Sequence, residues 1–229
     1  MHAFVSRVIE PEEAAALSRE ALFEEIRDGL MVNEASADAA FVSKRKAEHI
    51  ERAVYVCPFC GLSAFQSSGN EAECRTCHRK IVYGEDKQIT GIGFDFPFRF
   101  FNEWYEYQNA FVNQLDLSVY KNSCMFTDTA DISEVIVYKK KKRLFHHAEV
   151  SLFGDRIELK DAGIRRLALP FREISAAAVL GKNKLNVYHE DKIYQFKGGK
   201  QFNALKYVNL YYRYVNLMSK DNNGKFLGL

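Results

Sequence analysis

Cys57-Pro58-Phe59-Cys60-Gly61 and Cys74-Arg75-Thr76-Cys77-His78, with thirteen residues between Cys60 and Cys74, stand near the middle of a 229-residue chain. Two Cys-x-x-Cys turns at this spacing let four thiolates converge on one tetrahedral ion, while backbone N–H groups of each turn point at the sulfurs. Between them, residues 64–68 can form a strand, Gly69-Asn70 supplies a tight hairpin turn, and residues 71–73 return the chain to Cys74. The pattern reads as a zinc ribbon with Cys57, Cys60, Cys74 and Cys77 as ligands to one structural zinc ion. Gly61 follows the first pair, where a positive backbone dihedral is favoured, but His78 holds the equivalent place in the second.

A rival reading is redox chemistry, because Cys-Pro-Phe-Cys looks like the dithiol of glutaredoxin-type proteins. That chemistry needs a helix starting at the dithiol within a βαβ unit, and Gly61 with the polar hairpin beyond it supplies none. With four protein ligands there is no open position for a catalytic water. His78 is then a second-sphere or solvent-facing residue, and Cys124, without a partner at metal spacing, reads as a small buried apolar side chain.

Outward from the ribbon the chain is ordinary globular material, 47% hydrophobic and 27% charged. Five cysteines, four of them in the metal pattern, fit a reducing compartment and a cytoplasmic location, peripheral at most to the inner face of a membrane. No signal peptide is apparent, and no apolar stretch approaches the roughly 20 residues that span a bilayer. The net charge of +2 hides an asymmetry. Residues 1–130 carry 13 Lys plus Arg against 20 Asp plus Glu, whereas residues 131–229 carry 19 against 10. An anionic partner belongs with the second, basic part.

The expected organisation is α+β: N-terminal helices (1–52), a zinc-ribbon insert (53–93), an aromatic-rich connecting helix (94–130) and a basic antiparallel β domain closed by a C-terminal helix (131–229). In the first segment Pro11 suits a first helical turn, Ser18 can cap a helix carrying Leu22, Phe23, Ile26 and Leu30 on one stripe, and a second short helix is expected over 41–52. From Phe101, Trp104, Tyr105, Gln108, Phe111 and Leu115 fall on one helical face. Glu103 and Glu106 on that helix would be repelled by anionic lipid, so core packing is preferred to an interfacial membrane helix.

Seven strand-like runs follow, at 134–139, 143–153, 156–160, 164–169, 176–180, 184–188 and 192–197, and then a helix with Leu205, Val208, Tyr212 and Val215 on one face. This order resembles the pleckstrin-homology-like fold, a bent sheet plugged by a C-terminal helix, which hosts both lipid and protein ligands. Lys139-Lys140-Lys141-Lys142-Arg143 lies where the first two strands would connect, and His146, His147, Lys182 and Lys184 are read as reinforcing it. In pleckstrin-homology domains that loop is a frequent phosphoinositide site. The alternative is a solvated hairpin whose charge only blocks edge pairing.

Several segments together carry a further likeness: Arg7-Val8-Ile9-Glu10-Pro11-Glu12, Glu48-His49-Ile50-Glu51-Arg52, the ribbon, Gly93-Phe94-Asp95-Phe96-Pro97-Phe98, Trp104-Tyr105-Glu106-Tyr107-Gln108, residues 179–186 and Phe202-Asn203-Ala204-Leu205-Lys206-Tyr207. The order of pieces resembles the C-terminal extension of some bacterial 1-acyl-sn-glycerol-3-phosphate acyltransferases. What the resemblance implies is an accessory, regulatory or membrane-positioning region of an enzyme that acylates lysophosphatidic acid, with an anionic phospholipid surface or an acyltransferase domain as partner. The family's catalytic His-x-x-x-x-Asp motif is missing, since none of the six histidines has an aspartate five residues later. No catalytic residue carries over, and the chain shows no other catalytic signature. Two readings of other classes stay open: a nucleic-acid-binding zinc-ribbon protein, disfavoured by the lack of interleaved Arg and aromatic residues between the cysteine pairs, and a protein-interaction module that binds no lipid.

Overall fold

The basic C-terminal part forms one seven-stranded antiparallel sheet, because its apolar residues alternate along each strand and its Gly-, Asn- and Asp-containing breaks supply the turns. A computed structural model describes residues 5, 7–30, 40–137, 140–161 and 165–219. In chain order before the sheet come helices α1 (Pro11–Ala16) and α2 (Arg19–Leu30), and strands β1 (Val56–Cys57), β2 (Gly61–Leu62), β3 (Phe65–Ser68), β4 (Glu71–Cys74), β5 (Lys80–Tyr83) and β6 (Ile89–Gly91). Helix α3 (Phe101–Gln114) follows. The sheet itself comprises β7 (Phe126–Val137), β8 (Lys140–Leu152), β9 (Arg156–Lys160), β10 (Arg166–Pro170), β11 (Ile174–Leu180), β12 (Lys184–His189) and β13 (Lys192–Gly198), and α4 (Leu205–Ser219) ends the described chain.

The strand order is β10-β9-β8-β7-β13-β12-β11, so β7 joins two meanders. Its two edge strands are consecutive in sequence, joined only by the 3-10 turn Phe171–Glu173. Four residue steps from Pro170 to Ile174 reach at most about 14 Å, whereas six strand spacings laid flat span about 29 Å. The sheet must therefore bend until its edges approach, giving a curled half-barrel.

Into the concave side packs α4. The expected face of Leu205, Val208, Tyr212 and Val215 is only part of what is covered: Lys206, Tyr207, Val208, Asn209, Leu210 and Tyr211 are all buried, so the first half of the helix is enclosed on every side. Ile132, Val150, Leu152, Leu185, Val187 and Phe196 face it from the sheet. Lys206 is tolerated in this core because its Nζ lies 2.6 Å from Asp128 Oδ2, which also accepts the Tyr207 hydroxyl at 2.6 Å. Burial still pushes the Lys206 pKa down, against the pull of Asp128.

Two sequence expectations need correction, and two expected strand ends fall outside the described residues. The first strand begins at Phe126, eight residues before the expected Glu134, and its inward alternation Phe126, Asp128, Ala130, Ile132 is masked by the polar Asp128 that pairs with α4. Lys139 and Ile164, expected at strand ends, lie outside the described residues. Residues 41–52 are not a helix beyond the 3-10 turn Ile50–Arg52. Their N–H groups are taken by the cysteine-bearing hairpin instead: Lys46 by Asn70 Oδ1, Ala47 by the Gly69 carbonyl and His49 by Ser67 Oγ, with His49 in the left-handed region at φ 74°.

Strands β3-β4-β5-β6 form a second sheet, with the second cysteine pair between β4 and β5, and β1 and β2 pair separately on either side of the first cysteine pair's turn. Its small core is Val54, Ala72, Ile81, Ile89 and Trp104, ringed by Phe65, Phe94, Phe96, Phe98 and Phe101. The aromatic segment is thus core, as its acidic residues predict. Helix α3 serves both cores, burying Trp104 against the small sheet and Val112 against the large one. Gln108, also buried, accepts from Tyr55 N at 2.8 Å and donates to the Ala53 carbonyl at 3.0 Å, which fixes the segment leading into the first cysteine.

Residues 1–39 form a separate unit. Pro11 opens α1, and Ser18 Oγ accepts from Ala21 N at 3.1 Å at the start of α2. Phe23, Ile26 and Leu30 on α2 are exposed. Among the described residues no helix is long and apolar enough to cross a membrane.

Candidate metal centre and cationic strand

Each cysteine pair sits on a turn between short strands. Cys57 ends β1 and Cys60 precedes β2; Cys74 ends β4 and Cys77 precedes β5. After each pair the backbone turns through the left-handed region, at Gly61 (φ 79°) and at His78 (φ 59°). The histidine adopts the conformation that glycine was expected to provide, held by its Nδ1 at 2.9 Å from Glu73 Oε1. Its side chain is 72% exposed, which places it in solvent and away from the thiols.

The four Sγ atoms lie within 4.8 Å of one another. Cys57 is 3.7 Å from Cys77 and Cys60 is 3.5 Å from Cys74. A tetrahedral ion with sulfur bonds of about 2.3 Å holds its ligands about 3.8 Å apart, so the cluster has the dimensions of a closed four-thiolate site. Backbone N–H groups of Phe59 and Cys60 point to Cys57, and those of Thr76 and Cys77 to Cys74. The buried Ser63 adds its hydroxyl 3.1 Å from Cys74 Sγ. These donors favour thiolate over thiol. A hydrogen bond from the Cys57 thiol, aided by those N–H groups, pulls the Cys74 pKa far below the ordinary thiol range, and the same contact with burial pushes Cys57 up. Burial, then Cys74, pushes Cys60 up to about 11. Four sulfur donors gathered at these distances form a set that a cation completes by displacing their protons.

The redox reading fails on local structure. The residues after Cys60 are strand β2, and no helix starts at either pair. Phe59, between the first two cysteines, is capped by the Arg79 guanidinium 4.4 Å from its ring centroid and by the edge of Phe94 at 5.3 Å. Cys124 also departs from expectation: it is exposed, with its Sγ 3.0 Å from the Phe126 carbonyl.

Of the cationic residues read as one patch, the structure brings four together. Lys140, Lys141, Lys142 and Arg143 are consecutive, exposed residues at the start of β8, opposite Val137 to Ser133 of β7. Among the described residues none of the four makes an ion pair; Lys141 Nζ donates to Gln195 Oε1. Lys182 and Lys184 are elsewhere. Lys184 pairs with Lys197, which pairs with Asp131, whereas Lys141 is level with Val135 and Ile193. Four residues along the strands and three strands across separate them, roughly 20 Å. Lys182 instead rims a groove of about 740 Å³ between β11 and α4, with Arg52 near it and Val179, Leu205 and Tyr212 in its walls.

His146 and His147 also leave the basic run. Both face Asp131 across a bulge in the β7–β8 pairing. The sequence signal was an adjacent His-His pair with an aspartate fifteen residues before it, but only the register brings them together.

No protein-family model and no curated protein matches the chain. Among solved structures, the N-terminal PH domain of human ARAP2 is similar over 44% of this chain and 90% of that domain, at 14% identity and a TM-score of 0.34.

Proposed function

We propose that the chain is a non-catalytic docking module in which a zinc-stabilised ribbon braces a pleckstrin-homology-like sheet that meets an anionic phospholipid surface through Lys140–Arg143. The donor set supports zinc: four soft thiolates in a closed tetrahedron suit it, and leave no position for a reacting water. The pleckstrin-homology-like assignment is supported by the curled seven-strand order and the enclosed C-terminal helix. The observation that carries the functional reading is the run of four exposed cations on the first hairpin, none of which makes an ion pair among the described residues. A solvated hairpin needs no such concentration, and each cation near an anionic bilayer contributes on the order of 1 kcal/mol.

The likeness of segments to acyltransferase extensions supports a more specific role, positioning a 1-acyl-sn-glycerol-3-phosphate acyltransferase at the membrane that holds its substrate. A second reading, a protein partner, is favoured by the groove beside β11, an edge strand whose exposed Val179 and Leu180 leave backbone groups available for pairing.

Cosedimentation with liposomes tests the membrane reading. Retention should rise with phosphatidylglycerol content and fall with salt as the Debye length shortens from about 10 Å at 0.1 M to about 3 Å at 1 M. Replacing Lys140, Lys141 and Lys142 by Ser should remove about 3 kcal/mol, two decades of affinity, with the melting temperature unchanged. Retention no better than on neutral lipid would reject it. Length-dependent retention of oligonucleotides above that of liposomes at matched salt would favour the nucleic-acid alternative instead.

A further inference from the structure

We propose that Asp131, His146 and His147 form a second metal site, exposed on the outer face of the large sheet and selective for a divalent transition cation of the zinc, nickel or copper type. The register builds it. On β7, Ala130 pairs with Ala148 and Ile132 with Phe145, so one residue, Asp131, opposes two on β8. All four flanking side chains are buried in the core. Strand alternation turns Asp131 outward, and two residues must fit between the inward Phe145 and Ala148. They do so because His147 adopts the left-handed region at φ 46°, which sends both imidazoles to the side of Asp131. Their ring centroids are 4.1 Å apart.

The distances suit coordination. His146 Nδ1 lies 2.8 Å and His147 Nδ1 3.7 Å from Asp131 Oδ1, and the three ligand atoms fall within 4.8 Å of one another. Metal bonds of about 2.0–2.2 Å place neighbouring ligands about 2.9–3.5 Å apart, between the two observed values. The same oxygen, Asp131 Oδ1, also accepts from the backbone N–H of His147 at 2.9 Å, which orients the carboxylate beside the two imidazoles. Lys197, the cross-strand partner of Asp131, makes no ion pair with it among the described residues. Two imidazoles and one carboxylate disfavour magnesium and calcium, which take all-oxygen sites. Unlike the four-cysteine centre, a three-ligand site leaves positions open for water or for a donor atom of a partner.

The test compares the full chain with its His146→Ala/His147→Ala variant, each purified under reducing conditions and dialysed to equilibrium against micromolar free zinc. The wild type should bind one equivalent more than the variant, and Asp131→Asn should lose much of that difference. Nickel added to the wild type should broaden NMR signals of residues 130–132, 145–148 and 197 and leave those of the variant sharp. Both side chains are more than half exposed, so near-ultraviolet dichroism of the variant should match that of the wild type. Equal stoichiometry in the two proteins, or nickel broadening that persists in the variant, overturns the site. Whatever the variant still binds reports on the four-cysteine centre, so failure of one assignment leaves the other measurable.

Discussion

Cys57→Ser should unsettle far more than the ribbon, and the chain carries its own reporter of how much. Trp104 is the single tryptophan, fully buried, and its indole N–H donates at 2.8 Å to the carbonyl of Val56, the residue before Cys57. Among the described residues the small core holds five buried side chains. A bound structural zinc contributes on the order of 10 kcal/mol in such modules, more than that core supplies. Without it the β1 segment loosens, and Tyr55 and Val56, both in the core of the large sheet, leave with it. At about 1.5–3 kcal/mol for each such side chain, the sheet loses about 3–6 kcal/mol, a large share of a typical 5–15 kcal/mol total. Its melting temperature should fall by roughly 10–20 °C. The assay is thermal melting of wild type and Cys57→Ser, followed by selective tryptophan emission and by far-ultraviolet dichroism. The variant should show red-shifted emission at low temperature and a sheet that is still folded but melts early. Unshifted emission and an unchanged melt in protein shown to lack metal would refute the reasoning.

Asp128→Asn should destabilise by about 3–5 kcal/mol in denaturant titration, because it strands the buried Lys206 charge, and adding Lys206→Met should recover most of the loss; a single-variant cost under about 1 kcal/mol would contradict the pairing. Stability should fall as pH rises above about 10. Burial raises the Tyr55 and Tyr207 pKa values well above 10 and that of Tyr105 to about 12, so the folded state keeps protons that the unfolded chain releases. This contribution is whole below pH 10 and is lost as pH rises toward the folded values, while the lowered pKa of Lys206 acts oppositely, adding stability with pH only up to its unfolded value near 10.5. A denaturant midpoint that stays level or climbs past about pH 11 would contradict the assignment.

Local chemistry was readable in the sequence, and what depended on distant pairing was not. Cysteine spacing and Gly69-Asn70 located the hairpin between the two pairs, and turn residues divided the C-terminal part into seven strands. Asp128 hid the first half of β7, since an aspartate at an inward position makes sense only once Lys206 and Tyr207 of α4 are seen to meet it. The helix expected over 41–52 failed for a related reason: Asn70, Gly69 and Ser67 capture its N–H groups across the hairpin. Lys182 and Lys184 seemed to belong with Lys140–Arg143 because charge adds along a sequence, whereas register puts them at the far end of the strands. The cluster of Asp131, His146 and His147 depends on a single extra residue in β8, a bulge that no composition rule announces.

The claim that four cysteines hold one structural zinc ion is tested most directly by X-ray absorption at the zinc edge, on protein carrying a single equivalent of metal per chain. The account predicts four sulfur scatterers at about 2.3 Å and no nitrogen or oxygen in the first shell. A spectrum with nitrogen or oxygen neighbours at about 2.0 Å, or metal-replete, reduced protein that retains no zinc, would contradict it.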